Sequence, residues 1–170
     1  MKKLQILLLA FLAVTFFSAC GGGGSERVTL REGVSGDIAV LSLGADTSGL
    51  NGDQVALLNQ TLNWMDRDII QALKRTGLQP KRIQSEGEFT RNGYLLKITI
   101  TDHKMIPKGA RFMAGMMAGA DVLSAHYDLV DRNGQIVLAW DDTQASTKGG
   151  TYCAKTLNRN AAQKIADHLG

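Results

Sequence analysis

The segment ADVLSAHYDLVDRNGQIVLAWDDT, residues 120–143, decides the fold because it has the pattern of a β-hairpin. Two runs rich in β-branched, aromatic and aliphatic residues flank Asn133-Gly134, a pair that favours a tight turn. In the first run, apolar residues occupy every second position: Leu123, Ala125, Tyr127 and Leu129. Since successive side chains of a strand point to opposite faces, this run predicts one buried and one solvent-facing side of an antiparallel sheet.

The polar residues of the same run raise the question of catalysis. Ser124, His126 and Asp128 supply a nucleophile, a base and an acid. On one face of a strand they stand in a row at steps of about 6.6 Å, whereas a catalytic triad needs contacts of about 3 Å. Asp141 and Asp142 are adjacent, so a strand directs them to opposite faces. We therefore predict no catalytic residues and a protein that is not an enzyme.

A strand and a long helix are predicted before the hairpin. The strand covers Asp37–Ala45, and Asn51 or Asp53 can cap the helix that follows. Apolar residues at steps of three and four then form one stripe: Val55, Leu58, Leu62, Met65, Ile69 and Leu73. Gly77 and Pro80 indicate the end of this helix.

The rest of the chain adds two strands and a second helix. A strand is predicted within Leu78–Phe89, a tight turn at Asn92-Gly93, and another strand over Tyr94–Asp102. Tyr152–Leu169 carries a helical apolar stripe of Leu157, Ala161, Ile165 and Leu169. Residues 37–170 are therefore predicted to form a single small α+β domain. Its mostly antiparallel or mixed sheet is packed by one long helix and a C-terminal helix.

The N-terminal segment has the layout of a secretory signal. Lys2 and Lys3 precede an uncharged apolar run of 14 residues, Leu4–Phe17, shorter than the roughly 20 that span a bilayer as a helix. The sequence FSAC, ending at Cys20, resembles a bacterial lipobox. The resemblance implies a signal peptide over residues 1–19, cleavage before Cys20 and lipidation of that cysteine. Residues 20–36, with their Gly-rich start, are predicted to carry the lipid anchor and a flexible tether.

The charge balance argues against nucleic-acid binding. The whole chain has a formal charge of +3 from 19 basic and 16 acidic side chains. Removal of residues 1–19 deletes Lys2 and Lys3, which leaves 17 basic and 16 acidic side chains and a charge of +1. Electrostatic binding to phosphates needs a strongly basic patch or domain. We therefore predict no nucleic-acid partner.

The sequence also predicts no metal and no cofactor. His103, His126 and His168 lack the short spacings that bring metal ligands together. Once Cys20 is lipidated, Cys153 has no second cysteine in the chain. In an oxidising compartment such a thiol is either buried or paired between molecules, and both alternatives remain open at this stage.

The stretch RFMAGMMAGA, residues 111–120, is unusually rich in methionine and small residues. It has three interpretations: a strand buried under a helix, a surface for self-association or a partner, or a membrane-contacting segment. The second interpretation defines a candidate interaction surface: Phe112, Met113, Gly115, Met116, Met117 and Gly119.

Three segments resemble a family of uncharacterised bacterial lipoproteins with a domain of unknown function (DUF4410-like). They are IAVLSLG, the helix end LKRTGL, and GARFMAGMMAGADVLSAHYDLVDRNGQIVLAW. The resemblance covers most of the chain from Ile38 onward. It implies the fold and an envelope location, and no activity comes with it.

These observations predict a lipoprotein of the bacterial outer membrane that faces the periplasm and is held by the lipid on Cys20. The predicted function is a non-enzymatic protein-binding or assembly module of the cell envelope. Its partners would be the membrane, through the anchor, and envelope proteins or further copies of the chain. The alternative function is an oligomeric component of an envelope secretion or export channel.

Overall fold

The computed structural model describes residues 29–107, 109 and 119–170. Within this part of the chain the elements are β1 (Asp37–Ala45), α1 (Gly52–Arg75), β2 (Gln79–Arg82), a 3-10 turn (Glu86–Glu88), β3 (Tyr94–Lys104), β4 (Asp121–Val130), β5 (Ile136–Ser146) and α2 (Gly150–Leu169). The strands form one sheet in the order β2-β1-β3-β4-β5.

The sheet is mixed. β1 lies parallel to both β2 and β3. β3 pairs antiparallel with β4, and β4 pairs antiparallel with β5. The parallel pairing of β1 with β2 requires a crossover, and α1 supplies it. The predicted α+β class, with a mixed sheet packed by a long helix and a C-terminal helix, is confirmed.

Helix α1 begins and ends as its sequence predicts. The Asn51 side chain accepts a hydrogen bond from the Gln54 backbone N–H at 2.9 Å, and the Gln54 side chain accepts one from the Asn51 N–H at 3.0 Å. This capping box identifies Asn51, not Asp53, as the cap. At the other end Gly77 adopts φ +95°, and the Leu78 N–H donates to the Leu73 carbonyl at 3.3 Å. This is the geometry that stops a helix at a glycine.

The two helices pack side by side on one face of the sheet. In the α1 stripe, four of the predicted residues are buried, whereas Val55 and Leu62 are half-buried. All four predicted residues of the α2 stripe are buried: Leu157, Ala161, Ile165 and Leu169. Cys153 is also buried on this face, which confirms the first of its two alternatives. Asn158, fully buried in α2, donates from Nδ2 to the Met65 carbonyl of α1 at 2.9 Å.

The predicted hairpin is present, with a longer turn than two residues. The Asp131 N–H donates to the Gln135 carbonyl at 2.8 Å, and Gly134 adopts φ +84°. The Asp131 carboxylate accepts hydrogen bonds from the backbone N–H groups of Asn133 and Gln135 at 2.8 and 2.9 Å. These bonds hold the pKa of Asp131 below its usual value. The side chain of Asp131 therefore organises the turn, an effect that the Asn-Gly pair alone does not reveal.

One local prediction was confirmed and another was wrong. The strand predicted within Leu78–Phe89 is present and spans Gln79–Arg82. The chain then leaves the sheet, and Ile83 is buried against the sheet face that the helices leave open. Asn92-Gly93 does not close a hairpin, because β1 separates β2 from β3. The crossover through α1 overrides the turn preference of this pair.

Gly93 has a different role, which is to let the chain pass close to β1. A Cβ atom added to Gly93 would lie 2.9 Å from the Asp37 carbonyl carbon and closer still to its oxygen. Both are backbone atoms of β1, so the clash is not relieved by rotating a side chain. The start of β3 can therefore lie against the start of β1 because Gly93 has no side chain.

We predict that Gly93→Ala lowers the free energy of unfolding by about 1–3 kcal/mol, the typical cost of forcing extra atoms into a packed site. Gly52→Ala is the matched control, since no atom lies within 4 Å of the added Cβ. Urea denaturation of the purified chains, followed by circular dichroism, checks the prediction. Equal unfolding midpoints for the two variants would contradict it.

Candidate interaction surface

The sheet has one face covered by helices and one that is largely open. On the open face, Ile83 and Phe89 cover only a corner, where they pack on Leu41, Leu95 and Val130. The remainder of this face over β3, β4 and β5 is mainly polar and includes Thr99, Ser124, His126, Asp128, Asp141 and Thr143. This division follows the predicted alternation of β4, whose apolar residues face the helices.

The open face places His126 between two carboxylates. His126 Nδ1 lies 2.8 Å from Asp141 Oδ1, and its Nε2 lies 3.1 Å from Asp128 Oδ1. The hydrogen bond with Asp141 is the main cause that raises the pKa of His126, and the bond with Asp128 adds to it. Ser124 is engaged elsewhere, as it accepts a hydrogen bond from Thr143 Oγ1 at 2.9 Å. The arrangement favours the protonated form of His126, and Ser124 is hydrogen-bonded to Thr143 instead of to the histidine.

Asp141 and Asp142 diverge as the sequence predicts. Asp141 lies on the open face with His126, and its side chain is 77% exposed. Asp142 lies on the helix side, where its Oδ2 accepts a hydrogen bond from Asn160 Nδ2 at 2.9 Å. The pairing of Asp141 with His126 was not predicted from the sequence. The Asn133-Gly134 turn could have suggested it, since counting outward from a hairpin turn places residues opposite one another.

The two edges of the sheet differ in length and charge. In the part of the chain that the structure describes, no strand lies beyond β5 or β2. β5 spans 11 residues without proline or lysine, and it carries Asp141 and Asp142 near its centre. β2 spans four residues and contains Pro80, Lys81 and Arg82. An edge strand presents unpaired N–H and C=O groups with which another strand can pair, and its charged residues restrict which strand fits. The sequence did not identify either edge.

Of the candidate interaction surface predicted within RFMAGMMAGA, the structure describes only the last residue, Gly119. Cys20 lies outside the described residues, as do five residues of that surface: Phe112, Met113, Gly115, Met116 and Met117. Gly119 is described, and it is exposed with φ +81°. Two residues further on, Asp121 is buried, and its Oδ1 accepts a hydrogen bond from the Ile106 N–H at 2.8 Å. This hydrogen bond joins Ile106, which precedes RFMAGMMAGA in the chain, to the start of β4.

Neither a ligand pocket nor a metal group is evident in the described residues. Two clefts of about 160 and 210 Å³ meet at Asn92, Gly93 and Tyr94, and both are smaller than the range of about 300–1,000 Å³ typical of small-molecule sites. Residues 29–107, 109 and 119–170 contain no group of three or more metal-ligating side chains. The same residues include no helix that is both long and apolar enough to cross a membrane.

Comparison with known proteins identifies a family and a fold. The family model described as "Domain of unknown function (DUF4410)" matches residues 42–150, which is 109 of 170 residues. No curated protein matches the chain. The chain is similar to the PelC dodecamer from Paraburkholderia phytofirmans in space group P6, with 15% identity, 79% of this chain and 89% of that chain covered, and a TM-score of 0.50.

A variant of the same PelC dodecamer, in space group C2, gives a similar result. The identity is 14%, the coverage is 84% of this chain and 93% of that chain, and the TM-score is 0.52. At these identities the likeness shows a shared fold.

The His126 geometry predicts a pH-dependent contribution to stability. Because folding raises the pKa of His126, its contribution is fully present below the unfolded value of about 6.5. It is lost as the pH rises through the higher folded-state value. Asp141→Asn should lower the pKa of His126 measured by NMR titration of its ring protons. Asp142→Asn, on the other side of the strand, is the control and should leave that pKa unchanged. Equal His126 titration curves in all three chains would refute this assignment.

Proposed function

The chain belongs to the DUF4410 family of unknown function, and we propose that it is a non-enzymatic assembly module of the bacterial cell envelope that associates with copies of itself. The observation that carries the proposal is the 11-residue edge of β5, which no strand covers in the described part of the chain. A long edge without proline or lysine is a template for pairing with another chain.

The proposed location is the periplasmic face of the outer membrane. The support is the N-terminal apolar run, the FSAC sequence that ends at Cys20, and the Gly-rich segment that follows. In the folded domain the Arg31 N–H donates to the Leu169 carbonyl at 3.1 Å, and its guanidinium also contacts the His168 carbonyl. The N-terminal tether would therefore leave the domain beside the C-terminal end of α2.

A binding role is favoured over catalysis by the polar groups of the open face. His126 is engaged by two carboxylates, and Ser124 is engaged by Thr143. A nucleophile needs a base within hydrogen-bonding distance to become reactive, and the described contacts of Ser124 do not include one. The small volume of the two clefts at Asn92–Tyr94 agrees with a protein or membrane partner better than with a small substrate.

A second candidate function is favoured by the structural neighbours. PelC, which shares the fold, is described as a dodecamer. An assembly of many copies around an axis would suit an oligomeric component of an envelope secretion or export channel. The assembly module and the channel component both require self-association, and they differ in the number of copies and in whether those copies form a closed ring.

We predict that native mass spectrometry of the chain, extracted from membranes in detergent, detects a defined species of several copies. A species of many copies would favour the channel component, and a small oligomer would favour the assembly module. A strictly monomeric chain, over a hundredfold range of concentration, would refute self-association.

The location has its own prediction. Cys20→Ser should remove the chain from the outer-membrane fraction, because acyl chains on Cys20 would be its attachment there. Cys153→Ser is the matched control and should remain with the membrane, since Cys153 lies in the domain core. Immunoblots of separated inner membrane, outer membrane and periplasm check both variants. Retention of Cys20→Ser in the outer membrane would contradict the lipid anchor.

A further inference from the structure

We propose that copies of the chain join head to tail, with the β5 edge of one copy pairing with the β2 edge of the next. This inference rests on the self-association proposed above and specifies its surfaces. The partner is a second copy of this chain, and the contact continues the sheet from one domain into the next.

The strand directions are compatible with this contact. β5 runs antiparallel to β4, which runs antiparallel to β3, and β3 is parallel to β1 and thus to β2. β5 and β2 therefore point the same way on opposite edges of one sheet. A second copy placed beside the first, with the same face upward, brings its β2 alongside β5 as a parallel strand. Every copy then keeps its helices on the same side.

The charges on the two edges match residue by residue. On β5, Asp141 lies on the open face and Asp142 on the helix face. On β2, Arg82 lies on the helix face, where it pairs with Asp66 of α1 at 2.5 Å, and Lys81 lies on the opposite face. A single parallel register therefore sets Asp141 beside Lys81 on one face and Asp142 beside Arg82 on the other.

The neighbouring positions of that register are also compatible. It places Trp140 of one copy beside Pro80 of the next, both on the helix face, since Trp140 packs on the main core and Pro80 is paired with Ile38 in β1. The Gln79 N–H donates to the Gly36 carbonyl on the β1 side, so the next residue, Pro80, faces outward. Pro80 therefore meets the second copy with its carbonyl oxygen as an acceptor and supplies no N–H donor to the contact.

The same charges disfavour pairing between two β5 edges. In the antiparallel register that overlaps all 11 residues of β5, Asp141 lies opposite Asp141 of the second copy, because it is the central residue of Ile136–Ser146. Like charges directly opposite across two strands are destabilising. Head-to-tail pairing avoids this repulsion and replaces it with opposite charges.

Head-to-tail contacts have a consequence for the assembly. Each copy uses one edge to bind the next copy and the other edge to bind the previous one. Such contacts close into a ring when the rotation between copies permits, and otherwise continue as a filament. A two-fold dimer through β5 would stop at two copies.

Cysteine cross-linking of the full chain in cells tests the pairing. The variant Gln79→Cys/Ala139→Cys leaves the charges of both edges in place, and the proposed register sets its two cysteines opposite each other. Treated with a short bifunctional maleimide, it should give a ladder of covalent dimers, trimers and larger species. Gln79→Cys and Ala139→Cys alone should remain uncross-linked, as should the parent chain, whose Cys153 is buried. A double variant that stays uncross-linked while the parent forms oligomers would overturn the head-to-tail pairing.

Charge exchange supplies a second measurement on the same chain. Asp141→Lys and Lys81→Glu should each reduce the oligomer detected by native mass spectrometry to a small fraction of that of the parent, and the double variant should restore it. A mixture of the two single variants should also restore the oligomer with the two chains alternating, because their changed edges have opposite charges and so do their unchanged edges. If the parent forms oligomers that none of these changes affects, the pairing is wrong while self-association stands. If the parent is monomeric, both are wrong.

Discussion

The side-chain alternation of β4 is the constraint on which the rest of the structure depends. Its apolar residues Leu123, Ala125, Tyr127 and Leu129 are fully buried against the helices, and Tyr127 stacks on Trp140 of β5 at 4.7 Å. Burial of each large apolar side chain contributes about 1.5–3 kcal/mol. A slip of one residue would exchange this set for His126 and the polar residues beside it. The register of the antiparallel half of the sheet therefore follows from the composition of one strand.

The two faces of the sheet differ because of this alternation. Both helices cover the apolar face, and the other face retains its polar groups, with His126 held between Asp128 and Asp141. The α1 crossover makes β2 parallel to β1 and places it at the edge opposite β5. The two edges therefore point in the same direction and carry opposite charges. The contacts proposed between copies of the chain use these two edges.

Local sequence signals predicted most elements, and they failed where distant segments compete. Asn51 and Gly77 marked the ends of α1 because capping and left-handed glycine act within a few residues. The turn preference of Asn92-Gly93 predicted a hairpin that does not form, because β2 and β3 both pair with β1 instead of with each other. Gly93 is needed for its closeness to Asp37, a contact between segments more than 50 residues apart in sequence. The candidate surface built on the methionine-rich stretch was proposed from composition alone, and composition does not say what surrounds a segment.

The amino-acid sequence by itself determined the helices, the hairpin and the side of β4 that is buried, because periodicity, capping and turn chemistry are local. It also carries the features from which the lipid anchor is proposed. The order of the strands was decided only by the tertiary structure, since pairing across α1 depends on packing between segments far apart in the chain. That order made β2 and β5 the edges of the sheet, so that Lys81 and Asp141 became charges at opposite ends of one molecule. Neither residue is distinctive in the sequence, and their positions on opposite edges follow from the strand order of the sheet.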